Sequence, residues 1–161
     1  MTNSLNYAPV EFKYQETALG TWKKHLNDRG QLFEEFVSHR KVFGLPLVHY
    51  TRGRNPLTGK GEIARGVFAV GRIAVGIFPV GQLAIGICPV GQLSIGLLFG
   101  AGQMATGLVA IGQLALGGFL GIGQFATGFL AIGQMGMGYH TIAQVPGRIV
   151  LRSLSRFVLG K

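Results

Sequence analysis

The 161-residue chain has one cysteine, one tryptophan and 13% charged residues, about half the share of an ordinary soluble domain. All six acids lie at or before Glu62, and no Asp, Glu, Lys or Arg occurs between Ile73 and Gly147. Each scarcity excludes something. The lone Cys88 excludes an intramolecular disulfide. The charge-free middle means that the net +9 belongs to the two ends and not to a uniformly basic surface. The opening MTNSLNYAPVEFKYQE has no basic stretch followed by an apolar one, so no secretory signal is read there. With the unpaired cysteine, this sets the expectation of a cytoplasmic chain, with membrane association as the alternative.

Catalytic chemistry is missing too. His25, His39, His49 and His140 have no spacing that builds a metal site. GRNPLTGKG, at 53–61, departs from the phosphate-loop pattern because Gly61 follows Lys60 where Ser or Thr belongs. Basic and aromatic residues are not interleaved along a face, which argues against nucleic acid. Regular threonine arrays, as ice binding needs, are absent: Thr106 and Thr127 alone align. The expectation is a protein that is not an enzyme, with no catalytic residue, metal, cofactor or small-molecule substrate.

What is abundant is glycine, at 27 residues, beside 48% hydrophobic content. GQLAIGICPVGQLSIG, at 81–96, has glycine at every fifth position. The step of five runs from Gly61 to Gly138, with one extra residue near 99–101 and another near 120–122. Grouping four pentapeptides gives coils of about twenty-one residues, 61–80, 81–101, 102–122 and 123–142. The second position keeps the register, with Glu62, Gln82, Gln103 and Gln124 in one column and Arg72, Gln92, Gln113 and Gln134 in another.

Transmembrane helices are the strongest competitor, because a hydropathy window favours so long an uncharged run. At about 100° per residue, however, a five-residue step advances about 140°, so the glycines spiral and form no seam. Polar loops between ~20-residue spans are also missing. Disorder conflicts with the richness in Ile, Val, Leu and Phe. A β-solenoid fits: each G-x-h-A-h pentapeptide makes a short strand and a corner, and stacked coils pair at ~4.8 Å. The third position (Ile63, Phe68, Leu83, Leu93, Met104, Leu114, Phe125) is read as pointing inward together with glycine, and Cys88 as a small core residue.

This pattern resembles the pentapeptide-repeat proteins over roughly 61–147. That resemblance implies a four-sided right-handed β-helix of about 20–21 residues per coil. Glycine stands where that family has a small alanine, and the family's outward Asp, Asn, Ser and Arg are missing, so its acidic DNA-mimic role does not carry over. FGLPLVHY followed by the glycine-rich repeats is also similar to uncharacterised bacterial GLPLVH proteins, a likeness that brings no activity. A two-sided solenoid stays open, since a period of ten does not separate it from the four-sided form.

The expected organisation is an N-terminal partly helical cap at 1–44, the solenoid at 45–147 and a basic amphipathic segment at 148–161. In the cap, Leu32, Phe33, Phe36, Val37 and Phe43 share a helical stripe between Gly30 and Gly44. In the tail, Arg148, Arg152 and Arg156 recur every fourth residue, a candidate contact for anionic lipid or a partner. On a four-sided coil, glutamine ladders Gln82, Gln103, Gln124 and Gln92, Gln113, Gln134 occupy two opposed faces. The other two faces carry the apolar stacks Val67, Ile87, Leu108, Phe129 and Ile77, Leu97, Tyr139. Apolar faces of that size call for burial, and identical copies supply it. The functional expectation is a structural, self-assembling subunit of a filament or sheet, partnered by itself. The alternative is a membrane-associated protein that binds lipid through these faces and the arginine tail. Four coils at ~4.8 Å reach about 19 Å, short of a ~30 Å hydrocarbon core.

Overall fold

A computed structural model describes residues 11–26, 30 and 32–146, and the described chain is all β. Strands β1 (Lys13–Thr17), β2 (Gly20–Leu26), β3 (Leu32–Ser38) and β6 (Val48–Arg52) form an antiparallel meander. A small hairpin, β4 (Lys41–Val42) and β5 (Leu45–Pro46), is inserted before β6. Then β7 (Ile63–Gly86), β8 (Val90–Gly96) and β9 (Phe99–Pro146) add in parallel, giving one sheet of order β1-β2-β3-β6-β7-β8-β9.

The expected N-terminal helix is corrected: the residues of its stripe lie in β3 and in the β4–β5 turn. Cross-strand partners explain why the strand wins. Trp22 stands opposite Phe36, and Phe36 opposite Tyr50, with the Trp22 and Phe36 rings 4.9 Å apart. The next rungs set Lys23 against Glu35 and Lys24 against Glu34. Aromatic and opposite-charge rungs of this kind each contribute roughly 0.2–1 kcal/mol. Phe33, 1% exposed, anchors the meander's core. Phe43 and Gly44, both at positive φ, make the two-residue turn of the β4–β5 hairpin. The tail at 148–161, with its expected helix, lies outside the described residues.

The parallel part corrects the expected coil length. Val80 pairs with Val90, Gly81 with Gly91 and Leu83 with Leu93, an offset of ten. Across the first insertion Gly91 pairs with Gly102 and Leu93 with Met104, an offset of eleven. The repeat of the ladder is therefore half of the twenty-one residues that the four-sided form requires. Chain segments ten residues apart lie directly on one another, and glycine makes that approach feasible. A Cβ at Gly102 would sit 1.7 Å from the Gly91 carbonyl oxygen, and one at Gly133 1.8 Å from that of Gly123.

Inside and outside are also corrected. The fully buried position is the fourth of the pentapeptide and not the third: Ala64, Ala74, Ala84, Ser94, Ala105, Ala115 and Ala126 are all 0% exposed. The alternate pentapeptides bury Ala69, Pro79, Pro89, Ala110 and Ala131. The extra residue of each insertion is absorbed here, because Gly100 and Gly121 are the buried residues where Ala or Pro otherwise stands. Third-position side chains point out: Phe68 is 46% exposed and Met104 42%. Leu114 and Phe125 are half-buried, as is Cys88. Beside the buried alanines, a Cβ built on Gly71 would lie 3.3 Å from Ala64 Cβ and one on Gly91 3.5 Å from Ala84 Cβ, which leaves no volume there for Leu or Phe.

These contacts separate two glycines near in sequence. Gly102→Ala should destabilise the protein by about 3 kcal/mol, since its Cβ meets backbone that cannot step aside. At Gly118 the nearest atom to a built Cβ is Leu108 Cδ1 at 3.6 Å, and Gly118→Ala should change stability by less than about 0.5 kcal/mol. Denaturant unfolding of the two variants, followed by circular dichroism, checks the pair.

Candidate functional site

Ten-residue stacking sorts the outward side chains into six columns, from the second, third and fifth positions of each alternate pentapeptide. Five are predominantly apolar. One runs Val70, Val80, Val90, Ala101, Ile111, Ile122, Ile132. Another contains Phe68 and Phe78, whose rings stack at 5.2 Å. Phe119, Phe129 and Tyr139 stack at 5.9 and 5.3 Å, with interplanar angles of 9° and 8°. His140 packs edge-on against Tyr139 at 4.8 Å.

The sixth column is polar. Gln82, Gln92, Gln103, Gln113, Gln124 and Gln134 are all exposed, and they line one shallow depression with Leu93, Met104, Leu114, Phe125 and Met135. The expected two glutamine faces are thus a single ladder, because residues ten apart share a side. Arg72 heads it and donates from Nε to Gln82 Oε1 at 3.2 Å. A neighbouring depression brings Arg52, Arg54 and Arg72 together with Glu62 and Tyr50.

The second-position apolar residues merge in the same way. Ile77, Ile87, Leu97, Leu108, Phe129 and Tyr139 belong to one column instead of two opposed faces. Leu97, Leu108, Phe129 and Tyr139 are 70%, 50%, 49% and 75% exposed, while Ile77 and Ile87 are half-buried. Val67 is a correction: at 7% exposure it is buried. Gly66 lies against the Pro46 carbonyl, and Phe68 N–H donates to the Leu47 carbonyl at 2.9 Å, so the segment after β5 covers this first rung. Arg148, Arg152 and Arg156 lie outside the described residues.

The histidines of the meander have local partners. His25 Nδ1 is 2.7 Å from the Glu11 carbonyl oxygen, and His39 Nε2 3.1 Å from Thr21 Oγ1. Arg65 N–H donates to His49 Nδ1 at 2.9 Å, which leaves the ring proton on Nε2, 3.2 Å from Glu35 Oε1. Among the described residues no cluster of His, Cys, Asp or Glu could hold a metal ion. In GRNPLTGKG, Asn55 Oδ1 accepts from Leu57 N–H, and Asn55 Nδ2 donates to Glu62 Oε1 at 2.6 Å, so the loop is tied to the start of the ladder. No helix among the described residues is long and apolar enough to cross a membrane.

The third-position columns are the surface that sequence reasoning misplaced. The signal was present in the fourth position, which is Ala, Pro, Ser or Gly in nearly every repeat. Small residues there beside an obligatory glycine mean a thin interior. No protein-family model, no curated protein and no solved structure matches the chain.

One titratable group ties β3 to β6 within the meander. The hydrogen bond from His49 holds the Glu35 carboxyl below its ordinary value of 4.5; partial burial opposes this and Lys23 adds to it. A lowered folded-state pKa contributes stability that is complete above the unfolded pKa and is lost as pH falls through the folded one. The stability difference between wild type and Glu35→Gln should therefore be largest near neutrality and shrink as pH falls below about 4.5. Thermal unfolding of both proteins across that range checks it.

Proposed function

We propose that residues 61–142 form a two-sided β-solenoid of ten-residue turns, and that the protein is a non-enzymatic structural element whose solenoid stands in a lipid bilayer. One observation carries this reading: the cross-section is inverted. Ala, Pro, Ser and Gly fill the inside, while Ile, Val, Leu, Phe and Met face outward in five of six columns. Monomers in water rarely expose contiguous apolar patches beyond a few hundred Å². A single partner would cover one side, whereas hydrocarbon covers the circumference at once.

Length and charge support the same reading. From Arg72 to Gln134 the column climbs six turns, which at ~4.8 Å amounts to about 29 Å. The hydrocarbon core is ~30 Å thick. Halving the expected coil doubles the axial length, which removes the sequence-based objection to spanning. Arg52, Arg54, Arg65 and Arg72 gather at the near boundary, and Tyr139 stands at the far one, where tyrosine suits an interface. Cations resume at Arg148.

A bilayer also demands paired backbone groups, because no water is present to satisfy them. Strand pairing continues through the corners: β9 alone runs 48 residues. Between β7 and β8, Cys88 N–H donates to the Ile77 carbonyl at 2.9 Å. The solenoid's open edges fall at its two ends. At the near end Val48–Tyr50 of β6 pairs with Phe68–Val70 and closes that edge with the polar meander.

A second reading, a self-assembling filament or sheet in water, is favoured by the evenly spaced aromatic rungs Phe119, Phe129 and Tyr139. Flat rungs at one repeat distance match those of another copy. The two readings part on purification. Bilayer residence predicts that the protein floats with vesicles, resists a high-salt wash and protects its glycine-rich part from protease. Regular, detergent-free polymers that ignore vesicles would decide for the second reading.

The turn length has its own test. Deleting Gly81–Val90, one turn, and deleting Gly102–Ile122, two turns, should both leave a β-rich protein, because neighbouring turns restack. If only the longer deletion folds by circular dichroism, the repeating unit is the four-sided coil and the ten-residue solenoid fails.

A further inference from the structure

We infer that the glutamine ladder is the seam through which two copies of this chain pair side by side, with their solenoid axes parallel. The inference rests on the bilayer reading. In hydrocarbon the five apolar columns need no partner, and the sixth does. Six exposed glutamines, Gln82 to Gln134, line one depression with an amide at every turn. Each amide has two N–H donors and a carbonyl with two lone pairs. Apart from Arg72 Nε donating to Gln82 Oε1, none of these amides is hydrogen-bonded among the described residues, so nearly all of their donors and lone pairs await a partner. Leaving a polar group unpaired in an apolar medium is costly, so a row of them selects strongly for a partner.

The partner must offer donors and acceptors at the same rise, on a surface of matching shape. A second copy meets both conditions by construction. Its ladder is flanked by the same apolar columns, Val80 and Val90 on one side and Leu93 and Met104 on the other. Paired face to face, the two copies bury their polar stripes against each other and leave an apolar circumference for lipid. Copies that insert with their meanders on the same side are related by a two-fold axis parallel to the solenoid. Every rung then meets its own counterpart, Gln103 against Gln103 and Gln124 against Gln124. Arg72 meets its copy at the headgroup level, where water and lipid phosphate separate the charges.

The test uses the full chain with Cys88→Ser, reconstituted in phosphatidylcholine–phosphatidylglycerol vesicles. Single cysteines are placed at Gln92, Gln103 and Gln124 on the ladder, and at Leu97 and Leu108 on an apolar column. After a short bis-maleimide crosslinker, the three ladder variants should give dimer on a denaturing gel and the two leucine variants should stay monomeric. Gln103→Leu with Gln113→Leu, crosslinked from Gln92→Cys, should lose the dimer while still floating with vesicles. Flotation without crosslinking at the ladder, or with equal crosslinking at Leu97 and Leu108, overturns the pairing and leaves the bilayer reading standing. Failure of every variant and of wild type to float removes the bilayer reading, and this inference with it.

Discussion

The contact between glycine backbones one repeat apart governs the rest of the molecule. At Gly102, Gly123 and Gly133 a Cβ would lie within 2 Å of the carbonyl oxygen ten or eleven residues earlier. Hydrogen is the only substituent that fits. The chain thus stacks on itself at strand spacing with nothing between successive glycines. On the inside, a Cβ built on Gly71 or Gly91 would already meet the Cβ of Ala64 or Ala84 at 3.3 and 3.5 Å, and the buried column is no larger than Ala, Pro or Ser. A chain with 48% hydrophobic residues then has nowhere inside to put its Ile, Leu and Phe. They go outside because the glycines took the inside.

Ordinary cores are stabilised by large side chains leaving water, at about 25 cal/mol per Å² of apolar surface. Here that term is weak within one chain, since most large side chains stay partly exposed. What holds the ladder is backbone hydrogen bonding between stacked repeats, the cross-repeat stacking of Phe68 on Phe78 and of Phe129 on Tyr139, and the buried alanine rows. The remaining hydrophobic stabilisation is available only when something covers the outside. The polar meander is organised differently: its Trp22–Phe36–Tyr50 row and its Lys–Glu rungs supply local stability in water at one end.

Much of this was legible in the sequence, and the errors have physical causes. The glycine step, the two one-residue insertions and the β character of 61–142 follow from spacing alone. A period of about twenty-one fits the sequence as well as one of ten, because successive ten-residue units repeat their polar marker identically, Gln82 then Gln92. The side-chain orientation failed because alternation assigns Leu83 and Gly81 to one face, and a corner every five residues breaks that alternation. The helix at Leu32–Phe43 failed because its competitor is long-range. Nothing within that stretch reveals that Trp22 and Tyr50 will stand on either side of Phe36. Val67 differs from its column because a segment earlier in the chain folds back over it, which a repeat cannot encode.

Halving the turn changes more than a count. Residues ten apart come to lie on one line, so glutamines assigned to two opposed faces fuse into one stripe and the apolar second positions fuse into another. A four-sided coil with polar and apolar faces in alternation would suit a flat lattice, with each apolar face meeting its like. In the proposed two-sided form with a single polar stripe, the apolar part of the perimeter is continuous, which suits such a lattice less. The same halving doubles the length of 61–142 from about 19 Å to about 38 Å, of which the column from Arg72 to Gln134 takes about 29 Å, comparable to the ~30 Å thickness of hydrocarbon. Width, polarity and length all follow from the ten-residue offset that the glycines permit. In the proposed solenoid, a medium that touches all sides at once is the one environment that satisfies the three together.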